Sequence, residues 1–299
     1  MREAALSLER IRADIDAIDD RIQDLLVERT ALVEGVLRAK AGGPLPAYRP
    51  GREAAILRRL AERHSGGFPR LALVRIWREI IAASLGLQGR FVVAAQGDAE
   101  RGHYRDAARD HFGITATITM HQTMAGVVNA VTEGSATVGV LPFPTEDQPV
   151  QWWTTLSRGE DGPTIVARLP FAPATKDVAE AQDALCIAMM APEPSGDDLS
   201  FITVTADAES SRGRIADRLR AAGFQPRRMV PRYDRGEPDE TLYLVELEGF
   251  VERSDERIDR LLDAADTPVS SAWVLGAYAR PFAPGAQRPL ARASGAGGP

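Results

Sequence analysis

The chain has 299 residues, 44% hydrophobic and 26% charged, with a net charge of −6 and a single cysteine; a length beyond one ordinary core of ~100–150 residues predicts two or three domains of a soluble globular protein. The lack of any apolar run of ~18 residues excludes a membrane-spanning helix, and the acidic balance argues against a general nucleic-acid binder. The opening MREAALSLERIRAD mixes acids and arginines where an export signal needs an apolar stretch, and Cys186, alone in an apolar run, reads as a core residue, so a reducing, cytoplasmic setting is expected.

The first element is a long helix. Leu8, Ile11, Ile15, Ile18, Ile22, Leu25, Arg29, Leu32 and Val36 follow a 3-4-3-4 spacing, the seam of a helix packed against another helix, and Gly42, Gly43 and Pro44 end it. A second helix opens at Pro50 and ends at Ser65, Gly66 and Gly67. A third runs over 69–89, with Leu73, Trp77, Ile80, Ile81 and Ser84 on one face. From residue 91 the pattern changes: strand 91–95, helix 102–112, strand 116–120, helix 124–133 and strand 136–141 predict a small α/β unit. Strand 200–205, helix 212–222, strands 227–233 and 241–247, helix 252–264 and strand 272–278 give the βαββαβ order of a ferredoxin-like unit. The expected division is an all-α three-helix domain at 1–90, an α/β unit at 91–190, a ferredoxin-like α+β unit at 196–281 and a disordered tail at 282–299, rich in Ala, Gly, Pro and Arg. The glycine spacing over 97–104 imitates a phosphate-binding loop but lacks its Lys and Ser/Thr.

Charge and residue choice single out the first domain. Residues 1–90 carry 16 basic and 12 acidic side chains, net +4, against −10 for the remainder, so this part should attract anions. Of 36 basic residues only Lys40 and Lys176 are lysines, and a lysine kept among arginines suits a place needing a compact ammonium. Arg29 occupies an apolar position of the seam. A buried guanidinium needs a partner, and neither Asp24 nor Glu28 shares its face, which leaves an anionic ligand, a pair across the helices or a reach to solvent as the open readings. Lys40 is 11 positions on, nearly the same face and ~16 Å along the axis, whereas Arg12 lies ~42 Å from Lys40. Arg12 can join such a site only from a second, antiparallel subunit, and a ~50 Å rod is longer than a ~90-residue monomer can cover. Arg52 and Glu53 open the second helix, and Ser84 and Gln88 stand at i and i+4 on the third.

The stretches RADIDAIDDRIQDLLVERTALVEGVLRAK, YRPGREAAILRRL and REIIAASLGLQ, spanning residues 11–88 in order, resemble the all-helical class of chorismate mutases in the form fused to prephenate dehydratase. The resemblance implies an intertwined helical dimer that rearranges chorismate to prephenate without metal or cofactor, in phenylalanine and tyrosine biosynthesis. It implies that Arg29, and Arg12 from the partner chain, clamp the two carboxylates with help from Arg52 and Ser84. Lys40 and Gln88 then donate to the breaking ether oxygen, and Glu53 accepts from the ring hydroxyl. Orientation and preorganised donors supply the catalysis. Because Gln88 is a neutral amide, activity flat from about pH 6 to 8 is expected. Some relatives carry Asp where this chain has Arg49.

The order of the three parts is similar to that of bifunctional chorismate mutase–prephenate dehydratases, which end in a phenylalanine-sensing ACT domain, yet the motifs depart. Ala95-Gln96-Gly97-Asp98-Ala99-Glu100 replaces a glycine-rich dehydratase motif, Leu141-Pro142-Phe143-Pro144-Thr145 replaces Pro-Ile-Glu-Asn-Ser/Thr, and Ala184-Leu185-Cys186 replaces Thr-Arg-Phe. Residues 91–190 leave room for one lobe of a two-lobed cleft, so dehydratase activity is not expected. Ser210-Ser211-Arg212 and Val230-Pro231-Arg232-Tyr233 replace the ACT ligand motifs Gly-Ala-Leu and Glu-Ser-Arg-Pro, which argues against phenylalanine sensing and for oligomerisation or a protein partner. The competing readings are a working bifunctional enzyme and a non-catalytic helical dimer regulating a partner enzyme of aromatic biosynthesis.

Overall fold

The computed structural model describes residues 7–40, 48–97, 103–158, 161–173, 183–232, 240–263 and 267–282. The predicted stop at Gly42–Pro44, Lys176 and the tail from residue 283 lie outside them. The chain is multidomain: a helical N-terminal part is followed by one mixed sheet of nine strands. Among the described residues no helix is long and apolar enough to cross a membrane.

Helix α1 spans Leu8–Lys40. The Ser7 hydroxyl caps it, accepting from the Arg10 backbone N–H at 3.2 Å. The predicted seam is there, but a single chain leaves it in solvent: Ile11, Ile15, Ile18, Ile22, Leu25 and Leu32 are 40–67% exposed. Helices α2 (Pro50–Arg63) and α3 (Arg70–Leu87) behave differently. Pro50 suits the first turn of α2, where no helical hydrogen bond is lost, and Gly89 adopts φ +145° just beyond α3, a conformation that favours glycine. The most buried stripe of α3 is Val74, Arg78, Ile81, Ala82, Ser84 and Leu85, about one position round from the predicted face, whose Leu73, Trp77 and Ile80 are half-buried. The reason is that α3 touches α1, α2 and α4, so a wide sector is covered.

Ala54, Leu57, Ala61, Val74 and Ile81 form one cluster with Phe171 and Ala279 from the sheet part. Arg58 reinforces this docking by donating to Ser195 Oγ at 2.9 Å and to the carbonyls of Asp197 and Arg280, both at 2.8 Å. Arg49 Nε reaches Glu193 Oε1 at 2.9 Å. Next to it Gly51 lets the backbones close up, since a Cβ there would sit 2.4 Å from the Glu193 carbonyl oxygen.

The sheet runs β2-β1-β3-β5-β4-β9-β6-β8-β7. Strands β1 (Val92–Gln96), β2 (Thr117–His121) and β3 (Val138–Pro142) are parallel, with α4 (His103–Phe112) and α5 (Met124–Thr132) in the crossovers. Two strands that the periodicity does not flag complete this unit: β4 (Thr164–Leu169) and β5 (Ala184–Ala188), antiparallel to each other, with β5 antiparallel to β3. Their short runs TIVARL and ALCIA are covered on both faces, so no alternation betrays them. Cys186 lies buried in β5 as a free thiol.

The predicted βαββαβ unit is present as β6 (Asp198–Asp207), α6 (Arg212–Ala221), β7 (Pro226–Pro231), β8 (Glu240–Glu248), α7 (Glu256–Leu262) and β9 (Val269–Ala279). Helix α7 starts later than predicted because Asp255 caps it, accepting from the Arg257 N–H at 2.9 Å. The two sheet units are continuous: β4 and β9 pair in parallel at Ile165 and Gly276. Gly276 makes that joint feasible, having φ +141° and no room for a Cβ, which would lie 2.2 Å from the Ile165 carbonyl oxygen.

Candidate active site

Three of the predicted residues meet where the second half of α1 crosses the end of α3. Arg29 Nη1 donates to Ser84 Oγ at 2.7 Å, and the Ser84 hydroxyl in turn donates to the Ile80 carbonyl at 2.8 Å. Gln88 Nε2 donates to the Ser84 carbonyl at 3.0 Å. The spacing of four between Ser84 and Gln88 stacks them on one face of α3. Burial lowers the pKa of the half-buried Arg29 guanidinium from its ordinary value. Among the described residues no carboxylate pairs with it, so its charge is met by a neutral hydroxyl alone. A cation held this way is ready for an anion.

The other predicted residues are distributed around this group. Arg52 is exposed on the first turn of α2, and Arg12 is exposed on α1, 17 positions or roughly 26 Å before Arg29. One chain does not bring Arg12 to Ser84, as the geometry of a single straight helix requires. Lys40 closes α1, and its side chain lies outside the described residues.

Glu53 is buried, its Oε2 accepting from Arg78 Nη1 at 3.1 Å. Burial pushes this carboxyl up to about 7, against the opposing pull of Arg78 and of a hydrogen bond from the Arg49 backbone. A site that uses the Glu53 carboxylate would add a titration within the pH 6 to 8 window over which Gln88 alone predicts a flat dependence.

Arg78 is the residue that the sequence reading missed. It lies four positions after Val74 and three before Ile81, on the apolar stripe of α3, which is the same signal that singled out Arg29.

The N-terminal part is thus a helical domain that gathers a half-buried arginine, a serine and an amide, carries a separate buried acid on α2 and leaves a long apolar seam open. Residues 11–89 match the family model of chorismate mutase type II, and a domain of that family occupies the N-terminal part of the chain. The bifunctional chorismate mutase/prephenate dehydratase of Aquifex aeolicus (strain VF5) is 36% identical over 139 residues, 45% of this chain and 38% of that protein. The enzyme of the same description from Stutzerimonas stutzeri is 32% identical over 140 residues, again 45% of this chain and 38% of the relative. The match thus takes in less than two-fifths of the length of these relatives. The solved structure of prephenate dehydratase from Streptococcus mutans has a TM-score of 0.46 at 11% identity, covering 64% of this chain and 99% of that one.

Proposed function

We propose that the chain is a chorismate mutase that works as a homodimer and catalyses the pericyclic rearrangement of chorismate to prephenate. The observation that carries this reading is the Arg29–Ser84–Gln88 group, a cation with no carboxylate partner among the described residues, inside the segment that matches the family model. Chorismate supplies two carboxylates, and its rearrangement needs no covalent intermediate, only orientation and donors aimed at developing charge. In this reading Arg29 and the partner chain's copy of Arg12 clamp the carboxylates, and Arg52 and Ser84 support them. Lys40 and Gln88 donate to the ether oxygen, and ionised Glu53 accepts from the ring hydroxyl. The exposed seam of α1 is the surface on which the second copy lies, which would bring Arg12 of one chain towards Arg29 of the other.

The proposed functional division keeps the mutase at 1–90, with 91–190 and 196–281 as non-catalytic companions in a soluble, cytoplasmic protein. Dehydratase activity is not part of the reading, because Phe143 and Ala184 stand in the replaced motifs. Phenylalanine sensing is not part of it either. Ser211 is engaged in capping α6, accepting from the Arg214 N–H at 3.2 Å, Ser210 donates to Asp207 at 2.8 Å, and Arg212 reaches Glu146 at 2.6 Å. The test is purified protein with chorismate, with prephenate and phenylpyruvate assayed separately. Prephenate alone supports the reading, phenylpyruvate revives the bifunctional one, and undiminished chorismate favours a non-catalytic dimer.

A further inference from the structure

Around Glu53 lies a buried polar cluster drawn from the helical part and from the α/β unit that follows it. Arg78 of α3 meets Glu53 at 3.1 Å, and its Nη1 is 3.5 Å from Nε2 of His111 on α4. The Arg78 guanidinium also sits 5.4 Å over the ring of Phe171, just beyond β4. Tyr48 before α2 and Cys186 of β5 complete the surroundings, both buried and both electrostatically coupled to Glu53 and Arg78. Glu53, Arg78 and His111 are each 6–7% exposed. His111 is held far below its ordinary pKa by burial and by the neighbouring Arg78, so it is neutral and offers an acceptor nitrogen.

A buried ion pair is poor value for stability, because desolvation offsets most of its attraction and a well-packed apolar pair serves as well. Its presence on an otherwise apolar stripe therefore calls for a positional role. One carboxylate oxygen of Glu53 engages Arg78, and a carboxylate has further lone pairs with which to accept from a ligand hydroxyl. Arg78 is in turn seated on Phe171 and His111, which belong to the sheet part.

We infer that Arg78 is a positioning residue for the mutase carboxylate Glu53, and that the sheet part, through His111 and Phe171, is the scaffold that holds Arg78 in place. This rests on the mutase reading and deepens it: the α/β unit, without the dehydratase motifs, serves the helical site by fixing the arginine that holds its acid.

The experiment compares the full-length wild type with Arg78→Met, Arg78→Lys, His111→Leu and His111→Gln, each checked for native circular dichroism. Two quantities are followed against pH, namely kcat and KM for chorismate and the ¹³C carboxyl shift of Glu53, assigned with Glu53→Gln. Arg78→Met should lower kcat at least about tenfold with a smaller change in KM, and should move the acid limb and the Glu53 titration to higher pH, since the cation that favours the ionised acid is gone. Arg78→Lys should recover most of both. His111→Leu should shift them in the same direction by a smaller step that His111→Gln reverses. Folded Arg78→Met with kcat within twofold and an unmoved titration would overturn the positioning role alone. A wild type that leaves chorismate untouched would overturn the mutase reading and this role with it.

Discussion

Helix α1 keeps its apolar seam in solvent, with Ile15, Ile18 and Ile22 about half exposed, whereas α2 hides Leu57 and Ala61 almost completely against α3, Phe171 and Ala279. Both helices carry residues of the proposed site, Arg29 on one and Glu53 on the other. In the proposed reading the difference separates what one chain completes by itself from what a second copy would complete. The Glu53–Arg78 pair is enclosed by the helical part and the α/β unit of the same chain. Arg29 is finished on one side only, by Ser84.

The comparison can be broken by variants on either side. The largest effect is expected for Arg29→Ala: kcat/KM for chorismate should fall about 10³-fold, the order seen when a preorganised donor to developing charge is lost. The melting temperature should hardly change, because the guanidinium's partner in the single chain is one hydroxyl. Leu57→Ala should do the reverse. Its side chain is 1% exposed, so thermal or urea unfolding should show a loss of about 3 kcal/mol from cavity formation, while kcat of the folded fraction is retained.

Ile18→Asp probes the seam. It removes nothing that one chain buries, so the single-chain core should survive. Light scattering should nevertheless show a shift from dimer to monomer, and activity at micromolar concentration should fall about 10²-fold. The smallest effect is that of pH. In the proposed reading the ionised Glu53 carboxylate is the stronger acceptor for the ring hydroxyl, and burial pushes its pKa up to about 7, so activity should be highest above that value and fall as the pH drops through it. At pH 6 turnover should be about a tenth of the plateau. A profile level from pH 6 to 8 would contradict a titration of Glu53 near 7 that limits turnover.

Much of this was legible in the residues. The 3-4 spacing of α1, Pro50 at a helix start and the βαββαβ order are local signals that tertiary packing did not override. Strands β4 and β5 were not legible, because runs such as ALCIA that are buried on both faces carry no period to read. Nor was the joint at Gly276, where β4 and β9 merge two units into one sheet: it depends on a backbone approach between residues more than a hundred positions apart. Arg29 could be found because it interrupts a long apolar series. Arg78 interrupts a shorter one, and the choice of Leu73 and Trp77 as the inward face of α3 concealed it. Burial of the Glu53 carboxyl, which sets the expected pH response, arises from α3, α4 and the sheet together and has no counterpart in local sequence.

The central claim is that the site is completed by a second chain, and subunit complementation tests it most directly. Arg12→Ala and Arg29→Ala chains are co-expressed with different tags, and the mixed dimer is purified and assayed with chorismate. Each variant alone should be inactive. The mixed dimer joins an intact Arg29 from one chain to an intact Arg12 from the other in one of its two sites, and should recover about half of the wild-type activity per dimer. A mixed dimer as inactive as its parents would contradict the shared site.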